Sequence, residues 1–314
     1  MPIAPRIPQG PNEVVSLEGW LPDDEFPYGP IGAKAKRIFI CPDRPPYGFL
    51  IGGHRYIFKE PQGTKAQQIW SEVIAYELAR RIGVEVPPAF LATAPGNGSP
   101  GVLIEYFYGH RYDPEWRLVH GIERLQARGF ETDLKRGSLV DNLNLCRAHK
   151  VPNAGGWWAE TIIFDALIGN TDRHSENWGF LAERGANERP HFIMAPVFDN
   201  GTSLGYIIGE DRLAERSTPE GVARFIAKGH HHFGWTAGDK ASGQHVELCR
   251  RFAREAKISV LMCDKLHISD SEIDALLADC VRTPFPIRFS EERALFVSRL
   301  LKMRRDALIE ALGC

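Results

Sequence analysis

The sequence predicts an α+β chain with two lobes, a small β-rich lobe that carries one inserted helix and a larger lobe that is mainly helical. Strand-like alternation dominates up to residue 108, a helical period interrupts it from Ala66 to Ile82, and helical patterns prevail afterwards. The predicted division is an irregular leader at 1–29, the small lobe at 30–108, and a helical lobe with a polar loop at 109–314.

Short runs of β-branched and aromatic residues, separated by turn residues, predict the strands of the small lobe. Two such runs come first, Arg37–Cys41 and Tyr47–Ile51. The pair Gly52-Gly53 then leads into an alternating run, His54–Lys59. A glycine pair between two runs of this kind is typical of a β-hairpin.

One helix interrupts these strands. Between Ala66 and Ile82 the apolar side chains recur at helical spacing, and Gly83 ends the pattern. Strand character returns in Val84–Leu91 and Gly101–Tyr106. The small lobe is therefore predicted to be a sheet with one helix inserted after its third strand.

The larger lobe begins with helical patterns around a polar loop. An apolar helix is predicted at Gly155–Gly169, followed by the loop and by two short strands, Trp178–Leu181 and Phe192–Phe198. Two long segments, 108–149 and 206–242, are predicted to be surface loops. The later predicted helices are Val246–Ala256, Ser271–Val281 and Glu291–Leu312.

Composition and charge exclude several classes of protein. The 314 residues are 43% hydrophobic and 25% charged, which is ordinary for a globular protein. The formal net charge is −2, so no overall basic field would attract nucleic acid or an anionic membrane. No apolar run approaches the roughly 20 residues of a membrane span, and the start of the chain lacks the apolar core of a signal peptide. We predict a cytoplasmic protein without a direct nucleic-acid partner or a membrane span.

Cysteines, clustered histidines and arginine doublets indicate no separate site. The six cysteines are scattered without a C-x-x-C pair, which predicts reduced thiols. The run His230-His231-His232 is predicted to be structural or at the surface, because adjacent histidines in an extended chain point to different sides. Solvated helix faces are predicted for the doublets Arg80-Arg81, Arg250-Arg251 and Arg304-Arg305.

Four features along the chain supply the parts that phosphoryl transfer requires, namely a cation for the phosphates, oxygen ligands for magnesium, and a carboxylate that orients the attacking hydroxyl. The first is Lys59, at the end of an alternating strand, and the second is Glu72 in the predicted helix. A lysine in this place can project towards phosphate, and a buried glutamate would hold it there. Taken singly, each is more typical of a charged side chain in solvent.

The other two features lie in the larger lobe. Asp172 and Asn177 have the D-x-x-x-x-N spacing in which the aspartate accepts the hydroxyl hydrogen and the asparagine binds magnesium. Asp199 follows an apolar strand and precedes Asn200-Gly201, where a second magnesium ligand is expected. A capped polar loop and an ordinary turn are the alternative interpretations of these two features. The four features together indicate magnesium-dependent phosphoryl transfer.

Longer stretches carry a resemblance to a known family. The chain resembles the catalytic core of HipA-like serine/threonine kinases in Ile168-Gly169-Asn170-Thr171-Asp172-Arg173-His174-x-x-Asn177, followed by Pro196-Val197-Phe198-Asp199. The D-R-H-x-x-N pattern is also similar to that of phosphoinositide kinases. Further resemblances are found in the first-lobe helix at 72–88, in the loop Gly32-Ala33-Lys34-Ala35-Lys36, and in the hinge strand Leu103-Ile104-Glu105-Tyr106-Phe107.

The resemblance implies a protein-kinase-like fold and ATP- and Mg²⁺-dependent transfer of phosphate to a serine or threonine hydroxyl of a protein. It implies that Lys59 binds the phosphates with Glu72 as its partner, and that Asp172 is the catalytic base. The other implied ligands are Asn177 and Asp199 for magnesium, Gly32, Ala33 and Lys34 for the phosphates, and Glu105, Tyr106 and Phe107 for adenine.

A small regulatory or antitoxin-like partner is a further implication of the resemblance. Two other functions stay open from the sequence, a phosphoinositide or small-molecule kinase and a non-catalytic module that binds a nucleotide or a partner.

Overall fold

The small lobe is built on a six-stranded sheet with the strand order β1-β5-β6-β4-β3-β2. The computed structural model describes residues 7–23, 36–61, 63–110, 115–128, 137–183, 191–239 and 243–314. The strands are β1 (Val15–Ser16), β2 (Leu21–Pro22), β3 (Lys36–Ile40), β4 (Arg55–Lys59), β5 (Ala89–Thr93) and β6 (Pro100–Glu105). β1 pairs with β5 in parallel, and the other pairs of this sheet are antiparallel.

A single long helix, α1 (Gln68–Ile82), packs on this sheet and is buried on nearly all its faces. A helix that is buried on most of its faces needs cover from more than one side. The larger lobe supplies the second cover, because the Trp70 ring contacts Phe285 and Phe289 and its Nε1 donates to the carbonyl of Ile287 at 2.8 Å. α1 is therefore held between the two lobes.

The larger lobe combines a three-stranded antiparallel sheet with helices. Its strands are β7 (Trp116–His120), β8 (Gly179–Glu183) and β9 (Phe192–Met194), in the order β7-β8-β9. Its helices are α2 (Gly121–Gln126), α3 (Leu139–Ala148), α4 (Ala154–Ile168), α5 (Leu213–Arg216), α6 (Pro219–Ala227), α7 (His245–Ala256), α8 (Ser259–Asp264), α9 (Asp270–Arg282) and α10 (Glu291–Leu312).

The apolar helix α4 lies at the centre of this lobe, packed against α3, α7, α8 and α10. It ends at Gly169, whose φ of 68° is in the left-handed region. A Cβ at this position would lie 2.9 Å from the guanidinium of Arg304, so glycine is required here for space as well as for conformation. This sharp end positions the polar loop that follows.

The predicted α+β architecture of two lobes is confirmed, and several details differ from the sequence prediction. Tyr47–Ile51 forms turns and is not a strand. Its side chains Phe49 and Leu50 are nevertheless buried, and the Phe49 ring packs against Phe90 with centroids 4.7 Å apart. The apolar character of this run therefore reflects burial without strand pairing.

Three further predictions are corrected. The leader is irregular only in part, because β1 and β2 add to the two edges of the sheet. The segments 108–149 and 206–242, expected to be loops, contain β7, α2, α3, α5 and α6. Cys263 and Cys314 form a disulfide, so the prediction of reduced thiols is wrong for this pair, whereas Cys41, Cys146, Cys249 and Cys280 are free and buried.

No helix among the described residues combines the length and the apolar character that crossing a bilayer requires.

Candidate active site

Lys59 and Glu72 meet between the sheet and α1. Lys59 ends β4, and its Nζ donates to Oε1 of Glu72 at 3.0 Å. Both side chains are largely buried, so the pair lies in a medium where a charge is costly without a partner. The structure thus brings these two predicted site residues into direct contact.

Asp199 completes this cluster from the larger lobe. Its Oδ1 accepts a hydrogen bond from Lys59 Nζ at 3.0 Å, and its side chain is 33% exposed. Its φ is 60°, a left-handed conformation that is unfavourable for a residue other than glycine and that needs support from its surroundings. Part of that support comes from Glu72, whose Oε2 accepts the backbone N–H of Asn200 at 3.0 Å. Glu72 therefore holds both the lysine and the loop that carries Asp199.

The charge of Lys59 is stabilised by this arrangement. Burial by itself would lower the pKa of the ammonium. Asp199 and Glu72 more than offset this effect through their charges and hydrogen bonds, so the pKa of Lys59 lies above its ordinary value. The side chain is consequently a permanent cation at the boundary between the lobes.

The loop after α4 is shaped by hydrogen bonds of the buried Asn170. Its Nδ2 donates to Oδ1 of Asp165 at 3.0 Å, while its Oδ1 accepts the backbone N–H of Asp172 at 3.1 Å and the hydroxyl of Thr202 at 2.9 Å. These bonds fix the turn that follows Gly169. They leave the side chain of Asp172 exposed by 41%.

Asn177 is held at the end of the same loop. Its Nδ2 donates to the carbonyl oxygen of Asp172 at 2.8 Å, which leaves Oδ1 as the side-chain atom able to bind a cation. His174 lies between them, and its Nδ1 accepts the backbone N–H of Glu176 at 3.2 Å. This bond agrees with a bracing role for His174 within the loop.

Arg173 connects the two loops of the site, and reasoning from the sequence missed it. The side chain is almost completely buried. It donates to both carboxylate oxygens of Asp165 at 2.8 and 3.0 Å, and to the carbonyl of Asn177 at 2.9 Å. It also donates to Oδ1 of Asn200 at 2.6 Å and to the carbonyl of Phe198. Its place in the D-R-H motif was visible in the sequence, but its burial was not.

The three consecutive histidines lie close to this loop. Nδ1 of His232 is 3.9 Å from Oδ1 of Asp172, and its ring centroid is 5.5 Å from that of His174. His231 is buried, and burial lowers its pKa to about 4. The structural role that was predicted for this run fits His231, whereas His232 belongs to the surroundings of Asp172.

Arg304 is another basic residue whose environment differs from the prediction of a solvated face. It is buried, and its NH1 group donates to the carbonyl of Ala166 at 3.0 Å and lies 3.0 Å from Nδ1 of His245. His245 in turn donates from Nε2 to the carbonyl of Asn170 at 3.0 Å. Arg304 and His245 therefore stabilise the start of the polar loop, through hydrogen bonds to the carbonyl groups of Ala166 and Asn170.

The predicted hinge residues lie where β6 leaves the small lobe. The backbone N–H of Glu105 donates to the carbonyl of Pro88 at 2.8 Å. The backbone N–H of Tyr106 donates to the carbonyl of Arg55 at 3.1 Å. The Phe107 ring stacks on Phe198, with centroids 5.5 Å apart, directly before Asp199. The adenine contacts of these residues stay a prediction, as do the phosphate contacts of Gly32, Ala33 and Lys34, which lie outside the described residues.

The chain has a protein-kinase-like fold. Its two lobes meet at a lysine, a glutamate and two loops that carry carboxylates. The crystal structure of the Helicobacter pylori proinflammatory kinase CtkA superimposes with a TM-score of 0.73, covering 95% of this chain and 97% of that chain at 19% identity. HipA of Shewanella oneidensis, solved with HipB and its operator DNA, gives a TM-score of 0.51 at 14% identity. That likeness covers 94% of this chain and 68% of the HipA chain.

Sequence comparison identifies the family. Residues 48–256 match the model of the HipA-like C-terminal domain. Because this match spans more than half of the chain, the protein belongs to the HipA-like C-terminal domain family. The serine/threonine-protein kinase CtkA of Helicobacter pylori is 30% identical over 138 residues, which are 43% of this chain and 40% of that curated relative. The matched part is thus less than half of the relative's length.

Proposed function

We propose that this protein is an ATP- and Mg²⁺-dependent kinase that phosphorylates serine or threonine hydroxyls of a protein substrate. The observation that carries the proposal is the contact of Lys59 with both Glu72 and Asp199, at 3.0 Å each. These residues come from a strand, a helix and a loop that are distant in sequence, and phosphoryl transfer requires a cation and a metal-binding carboxylate side by side. The shared family and fold support the same conclusion.

The residues present fit magnesium and ATP. Magnesium prefers oxygen ligands and commonly takes one or two from the protein, which the carboxylate of Asp199 and the amide oxygen of Asn177 would provide. The ammonium of Lys59 would face the phosphates. Magnesium-bound ATP supplies the transferable phosphoryl group and offsets its negative charge.

Each of the predicted site residues would then have its own role in phosphoryl transfer. Lys59 would hold phosphate charge, while Glu72 would keep the lysine in place through their hydrogen bond. Asp172, which is accessible at the surface of the loop, would orient the substrate hydroxyl and accept its proton. Arg173 would act as a positioning residue, because it ties the Asp172 loop to the segment that carries Asp199.

Similar proteins support two more specific parts of the proposal, the protein substrate and a regulatory partner. The protein substrate is supported by the name of the CtkA relative, a serine/threonine-protein kinase. A small regulatory partner is supported by the HipA structure, which contains HipB. Affinity purification of the protein from its own cells tests the partner, and recovery of the bare chain would contradict it.

Asp172→Asn tests the function directly. Since the carboxylate matters mainly in the transition state, we expect phosphate transfer to fall at least ~100-fold while ATP affinity stays close to that of the unmodified protein. ATP labelled at its γ-phosphate is offered with cell extract, with phosphoinositide vesicles, or alone, and calorimetry measures nucleotide binding. Asp264→Asn, an exposed aspartate of α8, is the matched control.

Labelled protein with Asp264→Asn, and almost none with Asp172→Asn, would support the proposal. Labelling of the vesicles alone would replace it with a lipid kinase. Failure of the unmodified protein to bind ATP in the presence of magnesium would overturn it.

A further inference from the structure

Two histidines and a glutamate converge at the hinge, beside the predicted adenine contacts and outside the groups around Lys59, Asp172 and Asp199. Glu105 is itself one of the predicted adenine contacts. One ring nitrogen of His54, one of His110 and a carboxylate oxygen of Glu105 all lie within 4.8 Å of one another. Glu105 is fully buried, His54 is buried, and the side chain of His110 is 21% exposed. Nε2 of His110 is 3.8 Å from Oε1 of Glu105. This is the ligand set of two imidazoles and one carboxylate that zinc takes in proteins.

His54 and Glu105 make hydrogen bonds of the kind that metal ligands make. Nε2 of His54 lies 2.6 Å from the carbonyl oxygen of Tyr106, which can only accept, so this nitrogen donates its proton. In the neutral ring the lone pair is then on Nδ1. Oε2 of Glu105 accepts the hydroxyl of Tyr56 at 3.3 Å. Histidine ligands of metals usually donate their other N–H to a carbonyl, and carboxylate ligands are hydrogen-bonded as well.

Tyr56 is itself held by a hydrogen bond and by ring contacts. Its hydroxyl accepts the backbone N–H of Ile51 at 2.9 Å, and its ring packs edge-on against His54 and Trp20. The carboxylate of Glu105 is thus supported by a side chain that is itself held in place. Such an outer layer of bonds makes a ligand set more rigid and raises its affinity for a metal.

Both histidines can bind one zinc ion only after one of the two rings turns. Tetrahedral bonds of about 2.0–2.1 Å place two ligand atoms roughly 3.3 Å apart. The His54 and His110 rings stack with centroids 4.0 Å apart, so one of them has to tilt for both to address the same ion. His110 can do so because it is partly exposed and lies in a segment without regular structure.

We propose that His54, Glu105 and His110 bind one Zn²⁺, with water as the remaining ligand. The ion joins the start of β4, the end of β6 and the segment that leaves the small lobe. Its role is to hold the hinge in one geometry. The proposal goes beyond phosphoryl transfer and does not depend on it, because none of the three side chains belongs to the Lys59, Asp172 or Asp199 clusters.

Zinc binding is measured on the full chain without an affinity tag. The protein is dialysed against a chelator and then titrated with Zn²⁺ in competition with a coloured chelator, and Co²⁺ serves as a spectroscopic probe of the ligand geometry. We expect one zinc ion per chain. Because only the folded state contains the site, we also expect a melting temperature that rises with the zinc concentration.

His110→Ala removes one ligand at a partly exposed position, so the variant should fold. We expect it to weaken zinc binding at least ~100-fold and to abolish the zinc-dependent rise in melting temperature. His110→Cys offers another zinc ligand at the same place and should restore binding. His267→Ala, an exposed histidine elsewhere in the chain, is the matched control and should bind as the unmodified protein does.

Two results would overturn the inference. One is a lack of stoichiometric zinc in the unmodified protein at micromolar free Zn²⁺. The other is equal zinc affinity in His110→Ala and His267→Ala, which would place the ion elsewhere. Neither result bears on the kinase proposal, whose readout is phosphate transfer with magnesium.

Discussion

Replacing Arg173 with lysine tests how the two loops of the site are held together. The guanidinium makes five hydrogen bonds, two to the carboxylate of Asp165 and one each to Asn177, Phe198 and Asn200. A lysine keeps the charge but has three donors on one nitrogen and no planar fork. At least two of the five bonds must therefore be lost in Arg173→Lys.

The expected loss of folding stability in Arg173→Lys follows from the number of hydrogen bonds that are lost. Hydrogen bonds that involve a charged group contribute about 1.5–3 kcal/mol each, so two lost bonds cost about 3–6 kcal/mol. We expect a loss near the lower end, about 3 kcal/mol, because the ammonium still lies beside Asp165. Domains are commonly stable by about 5–15 kcal/mol, so the variant should fold with a clearly reduced stability.

Urea denaturation followed by tryptophan fluorescence measures this loss. Arg254→Lys is the control, since Arg254 is 69% exposed and is bonded to the neighbouring Glu255, and its effect should stay within about 0.5 kcal/mol. A double-mutant cycle with Asn200→Ala, which removes the acceptor in the Asp199 segment, should give a coupling of at least about 1 kcal/mol. A loss below about 1 kcal/mol in Arg173→Lys, or additivity in the cycle, would refute the role of Arg173 as the link between the loops.

Three further predictions concern the site and its surroundings. Lys59→Ala and Glu72→Ala should each slow phosphate transfer, and the double variant should lose little more than Lys59→Ala alone, whereas additive rate losses would show that the two do not act as a unit. Asp199→Ala should abolish transfer at saturating magnesium while circular dichroism stays unchanged, and turnover within ~10-fold of the unmodified protein would exclude Asp199 as a metal ligand. His231 has a folded-state pKa of about 4, below its ordinary 6.5, because it is buried. The unfolded chain therefore binds more protons between these values, and stability should be lost as the pH falls from about 6.5 towards 4. His231→Phe should lose less stability between about pH 7 and pH 5 in urea titrations, and an equal loss would contradict this assignment.

Patterns that repeat within a few residues predicted their elements well. α10 has the predicted bounds, and α1 and α4 end at Gly83 and Gly169 as their sequences indicate. Helical periodicity and terminal glycines are local properties, so one stretch of chain contains all the information about them. The residue types needed for phosphoryl transfer were also readable, because that chemistry restricts them to a lysine, carboxylates and an amide.

Contacts between residues distant in the chain could not be predicted from local patterns, because they depend on tertiary packing. Arg173 and Arg304 are of a type that is usually exposed, and only the surrounding helices and loops make them buried hydrogen-bond donors. The disulfide between Cys263 and Cys314 and the cluster around Glu105 likewise join residues whose separation in the chain hides their contact.

The sequence by itself therefore determined the two-lobed class, the main helices and the chemical types of the site residues, since these follow from local periodicity and from motif spacing. Only the tertiary structure decided that Lys59, Glu72 and Asp199 touch, and that Glu72 also holds the backbone of Asn200. The physical reason is that the energy of a buried charge depends on partners from other elements, and the packing of α1 between the lobes brings those partners together.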